Sequence, residues 1–573
     1  MITNFGNAAT SMRTSVEERP FRWFTAAIVI VAGVLAYANT FANDFVWDDA
    51  SSILLHKHVQ DPSRIGQLFR EDLHAFGRGQ GNFYRPLLAV SFMADFAWAF
   101  DGKTANNVPQ PAVFPFHLTN TILHVGAALW LLALLWRMKA PRSVCLAVPL
   151  LWVVHPLHTE AVAYISGRGD SMSAFFMFAA LWFALWEGST AKRIAGAALS
   201  ALFLVAAVLS KESALILPLL YIPLMLWAPR FDGTKPAGKD RLCRLPALAM
   251  VTTILAVYAW LRMTVLSFGS DSSAPSSSFA AHLVETGQAL ALYIKLIFVP
   301  TGLHMERTLE GVPPWMGLAG LLVLLVILGA SIAAFVKGHT CVTVAGAWFL
   351  ITWFPISGII PLNAPMAEHW LYVPLAGILW MLVEVAVRVF SASPLPRVFY
   401  PVVYLCAVLL LAATVARNSD WRSNEALYRA TLEANPKSIR VHYNLAATYQ
   451  DLLDNPAGAR RHFERVIELY QEKKTAEGLE ENVFWNVELD AHLSLGDILC
   501  EVQPREAMEH YAHVLSVGPD AGNAPLVGMA AFGMGRCSLQ MGQFEQAQEF
   551  FDKAVTLIPE LKPQVERMFV QGV

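Results

Sequence analysis

The chain has 573 residues, 55% of them hydrophobic and 15% charged, with a mean hydropathy of +0.43. A soluble protein carries about 25% charged residues, so this composition excludes a soluble globular domain as the main body. The formal net charge of −3 and the lack of a basic stripe exclude a nucleic-acid binder.

In chain order, residues 1–21 form a polar tail expected on the cytoplasmic side. The apolar run Phe21–Tyr37 has no small-residue cleavage site before Asn39, so it reads as a signal anchor rather than a removable leader. Apolar segments near the spanning length of about 20 residues recur at about 22–40, 116–136, 143–163, 171–187, 194–210, 213–229, 245–267, 315–336, 341–357, 371–389 and 399–416. They predict about 11 transmembrane helices within an all-α domain covering 22–417. Loops rich in Lys and Arg belong inside. Arg137, Lys139 and Arg142 mark one such loop, and Lys192 with Arg193 another. Arg230, Lys235, Lys239, Arg241 and Arg244 mark a third, Lys337 a fourth, and Arg388 with Arg397 a fifth. The alternate loops are poor in base, and Ser267–His282 has none. This puts the loop 41–115 outside. "GQALALYIKLIFVPTGLHME" (Gly287–Glu306) is apolar enough to span, but a span there would reverse every later loop. It is therefore expected to be re-entrant or interfacial. Of the six cysteines, none has metal-site spacing, and Cys500 with Cys537 is the pair expected to be able to join.

On this topology the polar residues of the membrane half gather at the outer face. Asp48 and Asp49 follow the first span in "FANDFVWDDASSI", and Tyr84, Arg85 and Pro86 share their loop. His117, Asn120 and His124 stand three and four apart on one helix face. "HPLHTEAVAYISGRGD" brings His155, His158, Glu160, Arg168 and Asp170 to the outer end of the third span. Lys211 and Glu212 lie at an outer turn, Glu306 and Arg307 end the re-entrant segment, and Glu368 and His369 open the tenth span. Ionisable groups at membrane depth are costly and mark function by default. Each alone has a structural reading: a histidine bonding between helices, Arg168 pairing Asp170 in a turn, Lys211 snorkelling to the interface. Structural pairs should scatter over both faces, and these do not. A zinc site needs a compact set of three or four ligands, and Pro156 breaks the helix between His155 and His158, so no metal is expected there. No cofactor is expected to be required, and a divalent cation is not predicted.

Acids beside Arg and Lys at a membrane surface suit a substrate that is both lipid and phosphate. Arg binds phosphate oxygens bidentately, and a nearby carboxylate can act as general base on an acceptor hydroxyl. A polyprenyl-phosphate sugar fits this set. Asp48 and Asp49 are the expected catalytic carboxylates. Arg85, His155, His158, Arg168, Lys211 and His369 are the expected donor-phosphate and lipid-sugar contacts. Tyr84, His117, Glu160, Asp170, Glu212, Glu306 and Glu368 are the expected polar support.

From residue 418 the chain becomes charged, and Asp and Glu outnumber Lys and Arg. The tetratricopeptide repeat is a 34-residue helix pair with small residues at the crossing. Gly535, Ala547, Phe551, Ala554 and Pro559 fit that spacing. Gly496, Ala507, Tyr511 and Pro519 fit with a deletion, and Ala446, Tyr449, Ala459 and Phe463 with an insertion. A capping helix is expected at Glu425–Ala434. Three repeats make an α-solenoid over 418–573 whose concave face suits a peptide or partner protein.

"FVWDDASSI", "FYRPLLAVSF", "FHLTNTILHVGAALWL", "HPLHTEAVAYISGRGD", "LSKESALILP" and "AEHWLYVP", in that order and followed by repeats, resemble the transmembrane and tetratricopeptide-repeat O-mannosyltransferases, a family of GT-C glycosyltransferases. The resemblance covers nearly the whole chain. It implies a GT-C fold, a lipid-phosphate sugar donor, inversion at the anomeric carbon and transfer to Ser or Thr of a protein, with Asp48 or Asp49 as base. His369 and Trp370 stand where relatives often have Arg and a small apolar residue, and Glu306 where an Asp is common. The short repeats and neutral N-terminus imply a bacterial member, an undecaprenyl-phosphate donor, and a multi-pass inner-membrane protein with its repeats in the periplasm. Two other functions stay open: a transferase acting on a lipid or cell-envelope glycan, and a membrane scaffold or lipid-sugar transporter.

Overall fold

The structure is a computed structural model that describes residues 3–76, 83–105, 107–227, 245–264, 266, 279–359, 362, 364–390, 396–477, 485–520 and 523–570. The basic loop Arg230–Arg244 and the base-free stretch 267–278 lie outside the described residues. The chain divides into two compact units, Met1–Ser423 and Asn424–Val573, a few residues beyond the boundary read from composition.

Among its described residues, the regular structure of the first unit is helical apart from one short antiparallel pair, Thr104–Ala105 with Val108–Pro109. Five of its described helices are long and apolar enough to cross a membrane: Pro20–Thr40, Phe114–Arg137, Thr190–Ser210, Pro314–Val336 and Val398–Trp421. A sixth span arises if Arg142–Val153 and Pro156–Val162, bent by 50° at their junction, count as one. Pro156 causes that bend, because its missing N–H and its ring end the preceding helix. The other expected spans are shorter apolar helices at Glu212–Leu224, Leu248–Thr264 and Thr340–Ile356, with Arg168–Ala184 and Pro374–Phe390.

The membrane unit is apolar outside as well as inside. Leu318, Leu322, Leu325 and Val326 are all more than 60% exposed on Pro314–Val336, which in water would be an aggregation surface and in lipid is the solvated face. The segment expected to be re-entrant contributes to a 20-residue helix, Phe279–Phe298, that packs along Pro314–Val336. A Cβ at Gly320 would overlap the Gly287 carbonyl oxygen. Only glycine permits that backbone approach, as in other membrane helix pairs. The loop 41–115 holds an unexpected helix, Pro86–Ala99. Pro86 sits at its first position, where a missing N–H costs nothing, and so Arg85 is fixed at its N-cap.

The second unit stacks helix pairs: Ile439–Asp451 with Pro456–Glu477, Trp485–Leu499 with Pro504–Ser516, and Ala524–Gln540 with Phe544–Leu557. Asn424–Ala434 precedes them and Lys562–Val570 follows. The small residues stand at the crossings: Cβ atoms at Gly496 and Gly535 would press into the Tyr511 and Phe551 rings. Ala446, Ala459, Ala507, Ala547 and Ala554 are fully buried. Cys500 and Cys537 come together with their Cα atoms 5.7 Å apart, inside disulfide range.

Candidate functional site

The two acids after the first span separate into different environments. Asp49 is fully buried. Ser166 donates to its Oδ1 from the backbone N–H at 2.8 Å and from Oγ at 2.5 Å, and the Val46 N–H donates to Oδ2 at 2.9 Å. Burial pushes its carboxyl up to about 7, against the pull of those donors. Asp48 is half-buried. Between them and the membrane helix, Trp47 has φ = 50°, a left-handed conformation that costs a bulky residue about 1–3 kcal/mol and clusters at functional sites.

His74, which the sequence reading missed, lies within electrostatic reach of Asp48, Asp72 and Arg85. Burial pulls its imidazole below the usual value, and the two carboxylates oppose that. Arg85 makes a bidentate pair with Glu212, Nε to Oε2 at 2.9 Å and Nη2 to Oε1 at 2.5 Å. The Glu212 side chain is 44% exposed, so this pair opens to the surroundings. Beside it Lys211 Nζ sits 2.7 Å from both Asp170 oxygens. Tyr84 is buried and donates from its hydroxyl to Phe69 O at 3.2 Å. Arg262 lies 6.0 Å over the Tyr84 ring. The helix that carries Arg262 also lines an open apolar groove of about 800 Å³, through Leu248, Ala249, Thr252, Thr253, Val257 and Trp260.

Arg168 departs from the expectation of a phosphate contact. It is fully buried. Its Nε donates to Asn120 Oδ1 at 2.5 Å, Nη1 to Ser91 Oγ at 2.9 Å and Nη2 to Phe116 O at 2.9 Å, and Nη2 pairs with Asp95 at 2.5 Å. A buried cation needs such saturation, and the bonds leave the guanidinium no face for a ligand. Asn120 in turn donates to the carbonyls of Val162, Tyr164 and Ile165, one residue before the Ser166 that holds Asp49. Arg168 therefore positions the acid pair from a distance.

The histidines are mostly structural. His117 Nε2 donates to Asn43 O at 3.0 Å. His155 Nε2 donates to Ile297 O at 3.0 Å, tying down the end of Phe279–Phe298. His158 is fully buried, with neither ring nitrogen hydrogen-bonded, and packs against Trp152 and Tyr372 at 4.5 and 4.4 Å.

A second polar group surrounds the end of the last membrane helix. Glu160 lies 2.8 Å from His369 Nδ1. Arg307 donates to Glu368 Oε1 at 2.7 Å, and the His304 N–H to the same oxygen at 2.8 Å. Glu306 is half-buried in the same segment. Arg417, absent from the expected set, is buried and pairs with Asp420 at 2.6 Å, while its Nε and Nη2 have no hydrogen-bond partner. Its only sequence signal was a base at the end of the last apolar run. Tyr164 stacks on Trp421 at 5.3 Å and lies within electrostatic reach of Asp48 and Asp49, so the two polar groups flank the acids.

Comparison with known proteins finds relatives over most of the chain. The tetratricopeptide-repeat family model matches residues 530–561. The human protein O-mannosyl-transferase TMTC4 is 25% identical over 497 residues, covering 77% of this chain and 66% of the human one. Protein O-mannosyl-transferase F38B6.6 of Caenorhabditis elegans is 23% identical over 449 residues, covering 74% and 60%. The chain is a homologue of the TMTC protein O-mannosyl-transferases. It spans less than two thirds of the length of these TMTC relatives. The crystal structure of the Archaeoglobus fulgidus oligosaccharyltransferase in its apo form is 12% identical with a TM-score of 0.35, covering 77% of this chain and 60% of that one, a likeness too slight to assign a fold. The apolar helices and the TMTC relatives together make this a multi-pass membrane protein.

Proposed function

We propose that the chain is a GT-C membrane glycosyltransferase that moves a hexose, mannose by analogy with its relatives' names, from a polyprenyl-phosphate donor to Ser or Thr hydroxyls of a protein. The observation that carries this reading is the split acid pair: Asp49 buried and held by three donors, Asp48 half-exposed, with His74 in electrostatic reach of both Asp48 and Arg85. Asp48 takes the proton from the acceptor hydroxyl as that oxygen attacks the anomeric carbon. The bond to the phosphate oxygen breaks on the opposite face, so the centre inverts. The leaving phosphate gains a negative charge, which Arg85 neutralises. Glu212, half-exposed, yields its place on Arg85 when the phosphate arrives. The apolar groove on the helix that carries Arg262 suits the polyprenyl tail. Lys211, Asp170 and Arg168 shape the site without touching the phosphate. No metal takes part in this scheme.

Arg85→Gln should then weaken donor affinity by about 10–100-fold, since one charge-assisted bidentate contact contributes about 1.5–3 kcal/mol. Binding of a polyprenyl-phosphate sugar to the purified variant measures this, and unchanged affinity would move the phosphate elsewhere, with Arg417 next in line.

The repeats present the acceptor on the outer side, which in a bacterial member is the periplasm. The last membrane helix ends at Asn418 and the first repeat-unit helix starts at Asn424. So short a tether raises the effective concentration of a bound acceptor. Deleting Asn424–Val573 should raise KM for a protein acceptor at least tenfold and leave a short soluble peptide acceptor nearly unaffected. Equal loss on both acceptors would give the repeats a stabilising role. No loss on either would favour a glycan acceptor.

A further inference from the structure

In the middle repeat, three side chains aim their donor atoms at one point. Glu488 and His492 lie one turn apart on Trp485–Leu499, and His513 lies on the partner helix Pro504–Ser516. Glu488 Oε1 is 2.9 Å from His513 Nε2 and 3.4 Å from His492 Nε2, and all three donor atoms lie within 4.8 Å of one another. Glu488 is 3% exposed and His492 9%. A carboxylate buried beside a charged His513 explains one of these contacts. It leaves His492 Nε2 buried without a hydrogen bond.

The neighbouring repeat separates packing from ligation. There His442 and His462 meet Nδ1 to Nδ1 at 2.8 Å, as His492 and His510 do at 2.9 Å. The histidine pair is thus a packing feature of both repeats. In the first, Ser438 precedes His442 by four residues and Arg465 follows His462 by three. In the second, Glu488 and His513 occupy those same places. Only the second repeat adds a carboxylate and a third imidazole to the pair.

We propose that Glu488, His492 and His513 form a zinc site. Zinc takes imidazole nitrogen and carboxylate oxygen at about 2.0–2.2 Å, so tetrahedral ligand atoms stand roughly 3.3 Å apart; two of the three observed separations already bracket that value. His510 supplies the outer partner. By accepting the His492 Nδ1 proton it fixes the tautomer whose Nε2 lone pair faces the site. Two imidazoles and one carboxylate suit zinc rather than magnesium or calcium, which prefer all-oxygen sets. The His513 side chain is 44% exposed, so the ion has an entry path, and water fills the fourth position. The ion pins the two helices of the repeat through a bond that the preceding repeat lacks.

The test uses the full chain in detergent, freed of any histidine tag and stripped with EDTA, with Zn²⁺ alone as the probe. Equilibrium dialysis should show one equivalent bound at micromolar Zn²⁺, and Co²⁺ in its place should give the visible absorption of a tetrahedral ion. His513→Ala, which removes a half-exposed side chain, should weaken that binding at least 100-fold while helix content by circular dichroism stays unchanged. Glu488→Gln should do the same, and His462→Ala should bind as the parent does. No bound zinc in the parent, or equal stoichiometry and affinity in His513→Ala, overturns the site.

Discussion

Asp48→Asn is expected to lower turnover by about 10²–10⁴-fold, the range for removing a general base, without loss of yield or helix content. The substitution keeps the shape and hydrogen-bonding reach of the side chain and removes its basicity. Asp49→Asn should behave differently. Asp49 accepts three donated hydrogen bonds, and an amide offers one oxygen and one donor to a site built of donors. One buried donor then loses its acceptor, at about 1–3 kcal/mol. This variant should lower the unfolding midpoint and lose activity through misplacement. Transfer assays at saturating donor, paired with unfolding midpoints, separate the two. Near-parental turnover in Asp48→Asn would refute its assignment as the base; full activity in that variant with abolished turnover in a stably folded Asp49→Asn would move the role to Asp49.

Arg168→Met is expected to destabilise the membrane unit by about 3–5 kcal/mol, because it strips the cation from a buried pair and leaves Asp95 charged and uncompensated. That is a shift of about 10²–10⁴-fold toward unfolded protein, read as loss of monodisperse yield and a lower unfolding midpoint. Arg168→Met with Asp95→Leu should recover much of the midpoint, since replacing both partners by apolar groups of similar size is close to neutral. Activity should not return with it. Asn120 would have lost the Arg168 bond that orients it, and its three bonds to the 162–165 carbonyls set the segment before Ser166. A singly substituted protein that folds as the parent does but fails to bind donor would restore Arg168 as a phosphate contact. Arg168→Lys is no rescue, because an ammonium cannot reproduce the planar fork that reaches Asn120, Ser91, Phe116 and Asp95 together.

The sequence by itself determined what depends on local chemistry. Apolar runs announced the five or six described helices long enough to span, though not the expected eleven, Pro156 the break after Val153, and the spacing of Gly496, Ala507, Gly535 and Ala547 the stacked helix pairs. Each of these is written in contiguous residues, since helix period, proline geometry and small-residue crossings repeat along the chain. Loop charge also leads to the expectation that the ionisable groups gather at one face.

Only the tertiary structure decided what each of those groups touches. Asp48 and Asp49 are identical neighbours in sequence; burial against Ser166, 117 residues away, is what separates them. Arg85 and Arg168 both looked like phosphate ligands. Arg85 faces a half-exposed carboxylate 127 residues on, whereas Arg168 is consumed by partners from two other helices. His74 and Arg417 carried no motif and emerged only by proximity. Burial and hydrogen-bond saturation are properties of the packed chain: a charge's role depends on which donors and acceptors folding leaves within about 3 Å of it, and residue type and spacing do not fix that set.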